Sequence, residues 1–190
     1  MDHANFSHVI KLLVSDYARI RKGKANQFKI FRLVLSNAGY RAVFFYRLGR
    51  WFKLNEMSFM AGMCQRFMHH TAHCWISVSA EIGSGFLIAH VGGLIIGGNT
   101  RIGSNCDVRQ NITFGGNFSK INDEGRTQPS VGDGVSFGVG AVVLGPIIIG
   151  SNSLIGANTV VTRDVPEGVI VFGVPGKVIK ERWKDEKRKL

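Results

Sequence analysis

An apolar residue recurs at every sixth position through the middle of the chain, in two uninterrupted runs. The thirteen positions are Ile76, Ile82, Ile88, Ile96, Ile102, Val108 and Phe114, and then Val131, Phe137, Val143, Ile149, Ile155 and Val161. A period of six does not fit the helical period of 3.6, but it fits short extended segments that bend after each apolar residue. Gly often follows these positions, and the 24 Gly among 190 residues exceed the usual share of about 7%. The spacing predicts a prism of stacked coils with the apolar residues inside.

The six-residue register is broken at two places. Two extra residues lie between Ile88 and Ile96, and a longer segment without periodicity, residues 117–130, separates the two runs. We expect this longer segment to be a loop extruded from a rigid scaffold, and such loops often carry function.

Helical spacing precedes the repeats. Helices are predicted over residues 5–22 and 27–53, with an interruption near 37–39, and over 58–73. The sequence therefore divides into an N-terminal helical region (1–74), a β-helix domain (75–166) with the extruded loop 117–130, and a C-terminal turn with a short charged helix (167–190). The fold class is mainly β.

The net charge of +11 is unevenly distributed. Residues 1–75 hold 12 Lys and Arg against 3 Asp and Glu, whereas residues 76–164 hold 5 against 6. A basic excess confined to the helical ends does not favour a nucleic-acid partner. Two interpretations of the basic segment 40–51 stay open: peripheral contact with the inner face of a membrane, or packing of its apolar side on the prism while Arg stays solvated.

Cysteine content and hydropathy limit the class of protein. Three Cys cannot form a disulfide framework, no charged-then-apolar secretory signal opens the sequence, and no apolar run is long enough to span a bilayer. We therefore expect a soluble cytoplasmic protein.

Four segments resemble the serine O-acetyltransferase group of hexapeptide acyltransferases, and the resemblance covers about residues 74–180. The segments are Ile82-Gly83-Ser84-Gly85 followed by His90, Gln110-Asn111-Ile112-Thr113-Phe114-Gly115-Gly116, Gly138-Val139-Gly140-Ala141-Val142-Val143-Leu144-Gly145, and Gly173-Val174-Pro175-Gly176-Lys177. The resemblance implies a left-handed parallel β-helix with three hexads per coil. It also implies acetyl-CoA as co-substrate and a homotrimer whose active sites lie between neighbouring subunits.

His90 is the expected catalytic residue under this resemblance. A hydroxyl is almost entirely un-ionised at neutral pH, so a general base must remove its proton as it attacks the thioester. Asp107 and Glu81 are the candidates for orienting His90.

The resemblance also implies the residues that bind acetyl-CoA. Backbone contacts with the pantetheine arm come from Gly116, Asn117, Val139 and Ala157, and a CoA phosphate meets Lys177. No metal is expected, because His69, His70 and His73 next to Cys74 do not complete a zinc ligand set and fit a helix end packed on the first coil.

The acceptor is predicted from departures from the family pattern. Serine acetyltransferases carry Asp where this chain has Ala89 and Trp75, and Asp-Arg-His-Pro where it has residues 126–129. A zwitterion needs complementary charges, so the missing carboxylates predict a neutral sugar hydroxyl of a capsular polysaccharide, exopolysaccharide or O-antigen. The acceptor-binding residues would then be Trp75, Asn111 and Gln128, with Phe118 beside them. Serine O-acetylation in cysteine biosynthesis is the first alternative, and a non-catalytic β-helix binding module is the second.

Overall fold

Four helices open the computed structural model, which describes residues 5–117, 120–122 and 124–182. They are α1 (Phe6–Ala18), α2 (Gln27–Ser36), α3 (Ala38–Leu54) and α4 (Ser58–Ala72). The side chains of Asn5, Asn26 and Asn37 accept hydrogen bonds from first-turn N–H groups and begin the first three helices. The predicted helices are confirmed, including the interruption before residue 38, although α1 ends four residues earlier than expected.

Within the described residues, fifteen short strands follow and form three sheets along the faces of a prism. Sheet A holds β1 (Cys74–Ile76), β4 (Leu94–Ile96), β7 (Thr113–Gly115), β10 (Val142–Leu144) and β13 (Val160–Val161). Sheet B holds β2 (Glu81–Ile82), β5 (Arg101–Ile102), β8 (Ser130–Val131) and β11 (Ile148–Ile149). Sheet C holds β3 (Leu87–Ile88), β6 (Asp107–Val108), β9 (Ser136–Phe137), β12 (Leu154–Ile155), β14 (Val169–Phe172) and β15 (Lys177–Glu181).

The strands of successive coils pair in parallel, one hexad to each face. Val142 pairs with Val160, so a regular coil contains 18 residues. Trp75 pairs with Ile95, and this first coil is longer by the two extra residues. Thr113 pairs with Val142, because the third coil includes the extruded loop. All thirteen apolar positions of the repeat are buried in one continuous core, and the predicted prism is confirmed.

Corners of the prism require residues that tolerate a positive φ. Asn111 and Asn158 adopt φ values of 59° and 54°, and Gly140 lies between them on the same corner with φ 69°. A Cβ added at Gly140 would lie 2.2 Å from Oδ1 of Asn158. Gly is therefore required where a corner approaches the next coil this closely.

The C-terminal part of the chain differs from the prediction. Strand β14 pairs in parallel with β12, so the stack continues beyond residue 166. The segment Lys177–Glu181 is a strand antiparallel to β14, not the start of the expected helix. It extends because β14 offers unpaired backbone groups at the edge of sheet C. Residues 183–190 of the predicted helix lie outside the described residues.

A buried ion pair joins the helices to the first coil. The Arg47 Nε lies 3.0 Å from Oδ2 of Asp16, and both side chains are almost completely buried. The same guanidinium donates to the carbonyl oxygens of Ile82 and Gly83, and Oδ1 of Asp16 accepts from the Phe86 N–H at 2.8 Å. Burial raises the pKa of Asp16, and the charge of Arg47 opposes that rise.

The basic segment 40–51 also contacts the first coil. Tyr40 and Tyr46 are fully buried, and the Tyr46 hydroxyl donates to the Ala80 carbonyl at 2.8 Å. Arg50 donates to the same carbonyl at 2.8 Å. Of the two interpretations of this segment, packing on the prism is the one that the structure supports.

We predict that Arg47→Met lowers the free energy of unfolding by about 3–5 kcal/mol, because it leaves the Asp16 carboxylate buried without its partner. Urea unfolding followed by circular dichroism at fixed protein concentration measures this change. The loss should shrink as the pH falls, because burial alone then raises the pKa of Asp16 and protonation removes the unpaired charge.

Arg101→Met is the matched control, since Arg101 pairs with Glu81 at 3.1 Å but both side chains are 53% exposed. Its loss should stay within about 1 kcal/mol. Equal losses for the two variants would contradict a structural role for the buried pair.

Candidate active site

His90 lies in a bulge of the first coil, at the edge where sheet C meets sheet A. Ile88 pairs with Val108 at the start of the bulge. At its end, a Cβ added at Gly93 would lie 2.2 Å from Oδ1 of Asn111. The first coil therefore has two residues more than the second over this interval. The exposed position of His90 follows from this excess.

Arg109 and Gln110 occupy the corresponding interval of the second coil. Arg109 Nη1 donates to the Phe137 carbonyl at 3.0 Å, and its side chain is 43% exposed. The Oε1 atom of Gln110 is buried and accepts no hydrogen bond from any residue that the structure describes. Neither residue is among the site residues predicted from the sequence. Their position immediately before Asn111, in or next to the matched segment, could have indicated them.

The same C–A edge carries further predicted site residues on later coils. The Gly140 N–H donates to the Gln110 carbonyl at 3.1 Å, and the Asn158 N–H donates to the Val139 carbonyl at 2.8 Å. Val139 and Ala157, which precede Gly140 and Asn158, therefore follow one another along this edge. Three strand spacings separate the first coil from the fourth, a distance of about 14 Å.

Lys177 lies near the far end of that edge. It pairs with Phe172 of β14, and it is exposed. The Gly173 carbonyl, in the turn between the two strands, accepts from the N–H of Val160 in sheet A at 3.1 Å. His90, Asn111, Val139, Ala157 and Lys177 thus follow one another along a single edge.

A second group of predicted residues lies at the opposite edge of sheet A, where it meets sheet B. A Cβ added at Gly97 would lie 2.6 Å from Oε1 of Gln128, and one at Gly116 would lie 3.2 Å from its Nε2. Asn117 follows Gly116, and a Cβ added at Gly145 would lie 3.3 Å from its Cβ. Three-residue strands separate the two edges by about 10 Å, so the predicted site forms two groups within one chain.

Trp75 lies on sheet A between these two groups. It is 46% exposed and pairs with Ile95, which is 45% exposed. These two neighbours give the start of sheet A an apolar outer surface. Phe118 lies outside the described residues.

Neither candidate carboxylate is shown to orient His90. Glu81 belongs to sheet B, which does not border the C–A edge, and it binds Arg101 and Arg50. Asp107 accepts from the Ser136 hydroxyl at 3.0 Å and lies 3.5 Å from Arg109. The prediction fails for Glu81 because six-residue spacing places it on another face.

The histidines near the end of α4 do not form a metal site. The His69 ring lies 5.8 Å from that of His70 and 6.0 Å from that of Trp75. Within the described residues, no three His, Cys, Asp or Glu side chains are grouped so that they could hold a metal ion. The helices of the described chain are also too short or too polar to cross a membrane.

Comparison with known proteins identifies the family. The family described as "Bacterial transferase hexapeptide (six repeats)" matches residues 129–163. Serine acetyltransferase of Bacillus subtilis is 32% identical over 160 residues, which cover 84% of this chain and 72% of that protein. The chain belongs to the serine acetyltransferase family. The Mycobacterium tuberculosis family member is 38% identical over 141 residues, with 74% of this chain and 60% of that protein covered.

Solved structures of the family share the fold. Neisseria gonorrhoeae serine acetyltransferase has a TM-score of 0.82 and 30% identity, covering 94% of this chain and 68% of that chain. Its complex with serine has a TM-score of 0.78 and 29% identity, covering 90% and 69%. A serine acetyltransferase complex with CoA has a TM-score of 0.77 and 28% identity, covering 94% and 72%. The predicted left-handed parallel β-helix is confirmed.

The prediction of a sugar acceptor is wrong. The relatives and the structural neighbours are serine acetyltransferases, which was the first alternative. The prediction counted charges only at Trp75, Ala89 and residues 126–129. It took no account of Arg109 and Gln110, which the coil register places in the interval next to that of His90.

We predict that native protein resists thiol reagents at about neutral pH. The three cysteines, Cys64, Cys74 and Cys106, are free and buried. Burial raises the pKa of each thiol, and that of Cys106 reaches about 11, so thiolate is scarce. Titration with a chromogenic disulfide should modify all three only after denaturation. Rapid modification of one thiol in native protein would contradict this prediction.

Proposed function

We propose that this chain is an acetyl-CoA-dependent serine O-acetyltransferase that acts as a homotrimer. The observation that carries the proposal is the exposed His90, held in the bulge of a β-helix that belongs to the serine acetyltransferase family. The complexes of family members with serine and with CoA support the choice of the two substrates.

His90 acts as the general base in this mechanism. Its imidazole takes the proton of the serine hydroxyl while the oxygen attacks the thioester carbonyl of acetyl-CoA. A backbone N–H of the glycine-rich coils stabilises the negative charge on the carbonyl oxygen. The carbon–sulfur bond then breaks, and the CoA sulfur takes up the proton from His90. O-acetylserine and CoA are the products.

Arg109 and Gln110 supply groups that suit an amino acid. The guanidinium of Arg109 carries the positive charge that a serine carboxylate requires, and its side chain is partly exposed. The buried Oε1 of Gln110, which has no partner among the described residues, can accept a hydrogen bond from the serine ammonium group. A buried acceptor without a partner in the protein favours a ligand that donates to it.

Acetyl-CoA follows the C–A edge in our proposal. Backbone groups at Val139 and Ala157 contact the pantetheine arm, and Lys177 at the end of the edge meets a phosphate. The row of corners at this edge is continuous from His90 to Lys177, so the acetyl group reaches the base while the phosphates reach the lysine.

A neighbouring subunit completes the site. Gly116, Asn117 and Gln128 lie on the A–B edge, about 10 Å from the C–A edge of the same chain. A trimer in which the A–B edge of one subunit faces the C–A edge of the next unites the two groups. The exposed apolar surface of Trp75 and Ile95 between the edges favours such a contact.

The first prediction from this function is that the protein releases CoA from acetyl-CoA when serine is added. Thiol release followed continuously measures the rate, and mass spectrometry identifies O-acetylserine as the product. Alanine is the control acceptor, because it keeps the two charges of serine and lacks the hydroxyl. Binding of acetyl-CoA without transfer to serine would contradict the acceptor, and absence of binding would favour a non-catalytic module.

The second prediction concerns His90. His90→Ala should lower kcat by about 10²–10⁴-fold, because general-base catalysis of hydroxyl attack is lost. The KM for acetyl-CoA should change little, since His90 does not bind the cofactor in this mechanism. His70→Ala, which removes an exposed imidazole from α4, is the control and should retain full activity. Wild-type kcat in His90→Ala would sink the mechanism.

A further inference from the structure

Helix α2 presents an apolar row to solvent. Phe28, Phe31 and Leu35 are 67%, 60% and 63% exposed, and their spacing places them on one side of the helix. The buried Leu33 packs with Tyr17 and Tyr40 and joins the helix to the rest of the protein. The helix is therefore fixed, while its larger side chains face outwards.

Cations surround this apolar row. Five are exposed in and before the helix, and no acidic residue occurs from residue 17 to residue 55. The exposed cations are Arg21, Lys22, Lys24, Lys29 and Arg32. No ion pair between described residues includes any of them.

A cavity opens beside the same helix. It has a volume of about 380 Å³, and its lining includes Arg21, Lys29 and Arg32 together with the neutral side chains of Tyr17 and Ser36. Three cations around one concave site provide a place for a phosphate group, since charge-assisted hydrogen bonds to phosphate are strong and Arg binds it with two donors.

Charge distinguishes α2 from α4, which carries another of the exposed apolar rows in the helical region. Phe59, Met63 and Phe67 of α4 are 77%, 47% and 47% exposed. Arg66 is the one Lys or Arg residue among the 15 residues of α4. A purely apolar contact would suit either helix, whereas an anionic surface suits α2 alone of the two.

We propose that α2 and the preceding turn bind the surface of an anionic phospholipid membrane. Phe28, Phe31 and Leu35 enter the interface between headgroups and acyl chains, and the cavity of Arg21, Lys29 and Arg32 receives a lipid phosphate. Amphipathic helices with a basic polar side bind such surfaces reversibly. This contact does not depend on the proposed reaction, because none of these residues belongs to the candidate active site.

Vesicle flotation of the full-length protein tests the proposal. We expect it to float with phosphatidylcholine vesicles that contain phosphatidylglycerol and to stay behind with pure phosphatidylcholine. The double variants Phe28→Ser/Phe31→Ser and Arg21→Gln/Arg32→Gln should each lower binding by about tenfold or more, because each removes one of the two contributions. Phe59→Ser is the matched control and should float as the wild type does.

Further measurements distinguish an anionic membrane from a second copy of the chain, nucleic acid or inorganic phosphate as the partner of α2. Circular dichroism and urea unfolding show that each variant folds, so loss of flotation by folded variants supports the proposal. Equal binding to neutral and anionic vesicles would overturn it. Failure of the wild type to float would also overturn it. Sedimentation would then show whether the phenylalanine variant splits an assembly of copies, and anisotropy would show whether nucleic acid or inorganic phosphate is bound instead.

Discussion

Close backbone approach between coils is the constraint on which the rest of the structure depends. A Cβ at Gly138 would lie 2.4 Å from the backbone nitrogen of Ala157, and one at Gly150 would lie 2.4 Å from that of Glu167. A larger residue would force neighbouring coils apart and break the parallel ladders. Because each coil bonds only to its neighbours, local spacing sets the whole stack. The edges of the prism then become continuous rows of corners.

A regular coil has few positions from which a side chain could act as a catalytic group, whereas the irregular interval at His90 provides one. Positions of a regular hexad either enter the core, form the flat outer rows of the sheets or occupy tight corners. The two extra residues after Ile88 lift the chain away from this pattern. Helix α3 supports the start of the interval, because a Cβ added at Gly39 would lie 2.2 Å from the Ile88 carbonyl oxygen. The bulge is thus an exposed segment with a rigid base.

The periodicity of apolar residues predicts the buried positions of the β-helix and the N-terminal helices. The buried anchors from Ile76 to Val161 and the four helices follow from spacing alone. Strand β15 does not, because its charged sequence extends only when it pairs with the edge of β14. The same limit explains the site. The six-residue spacing predicts where His90 lies along the repeat. It does not predict that Gln128 and Ala157 lie on two different edges, because that depends on the order in which the three sheets follow one another around the prism.

Burial and hydrogen bonding distinguish the roles of the basic residues, which the net charge alone does not. The excess of cations in residues 1–75 contains two populations with different physical roles. Arg47 and Arg50 donate to carbonyl oxygens of the first coil, and Arg19 donates to the Asn105 carbonyl of the second. Each of them also pairs with a carboxylate, that of Asp16, Glu81 and Asp107 respectively. These residues make the region basic for reasons of folding. Among the described residues, no hydrogen bond or ion pair joins the cations around α2 to the prism, and Lys29 donates to the neighbouring Lys24 carbonyl. The cations of this second population are exposed and lie beside exposed phenylalanines, so they are available to meet an anionic surface.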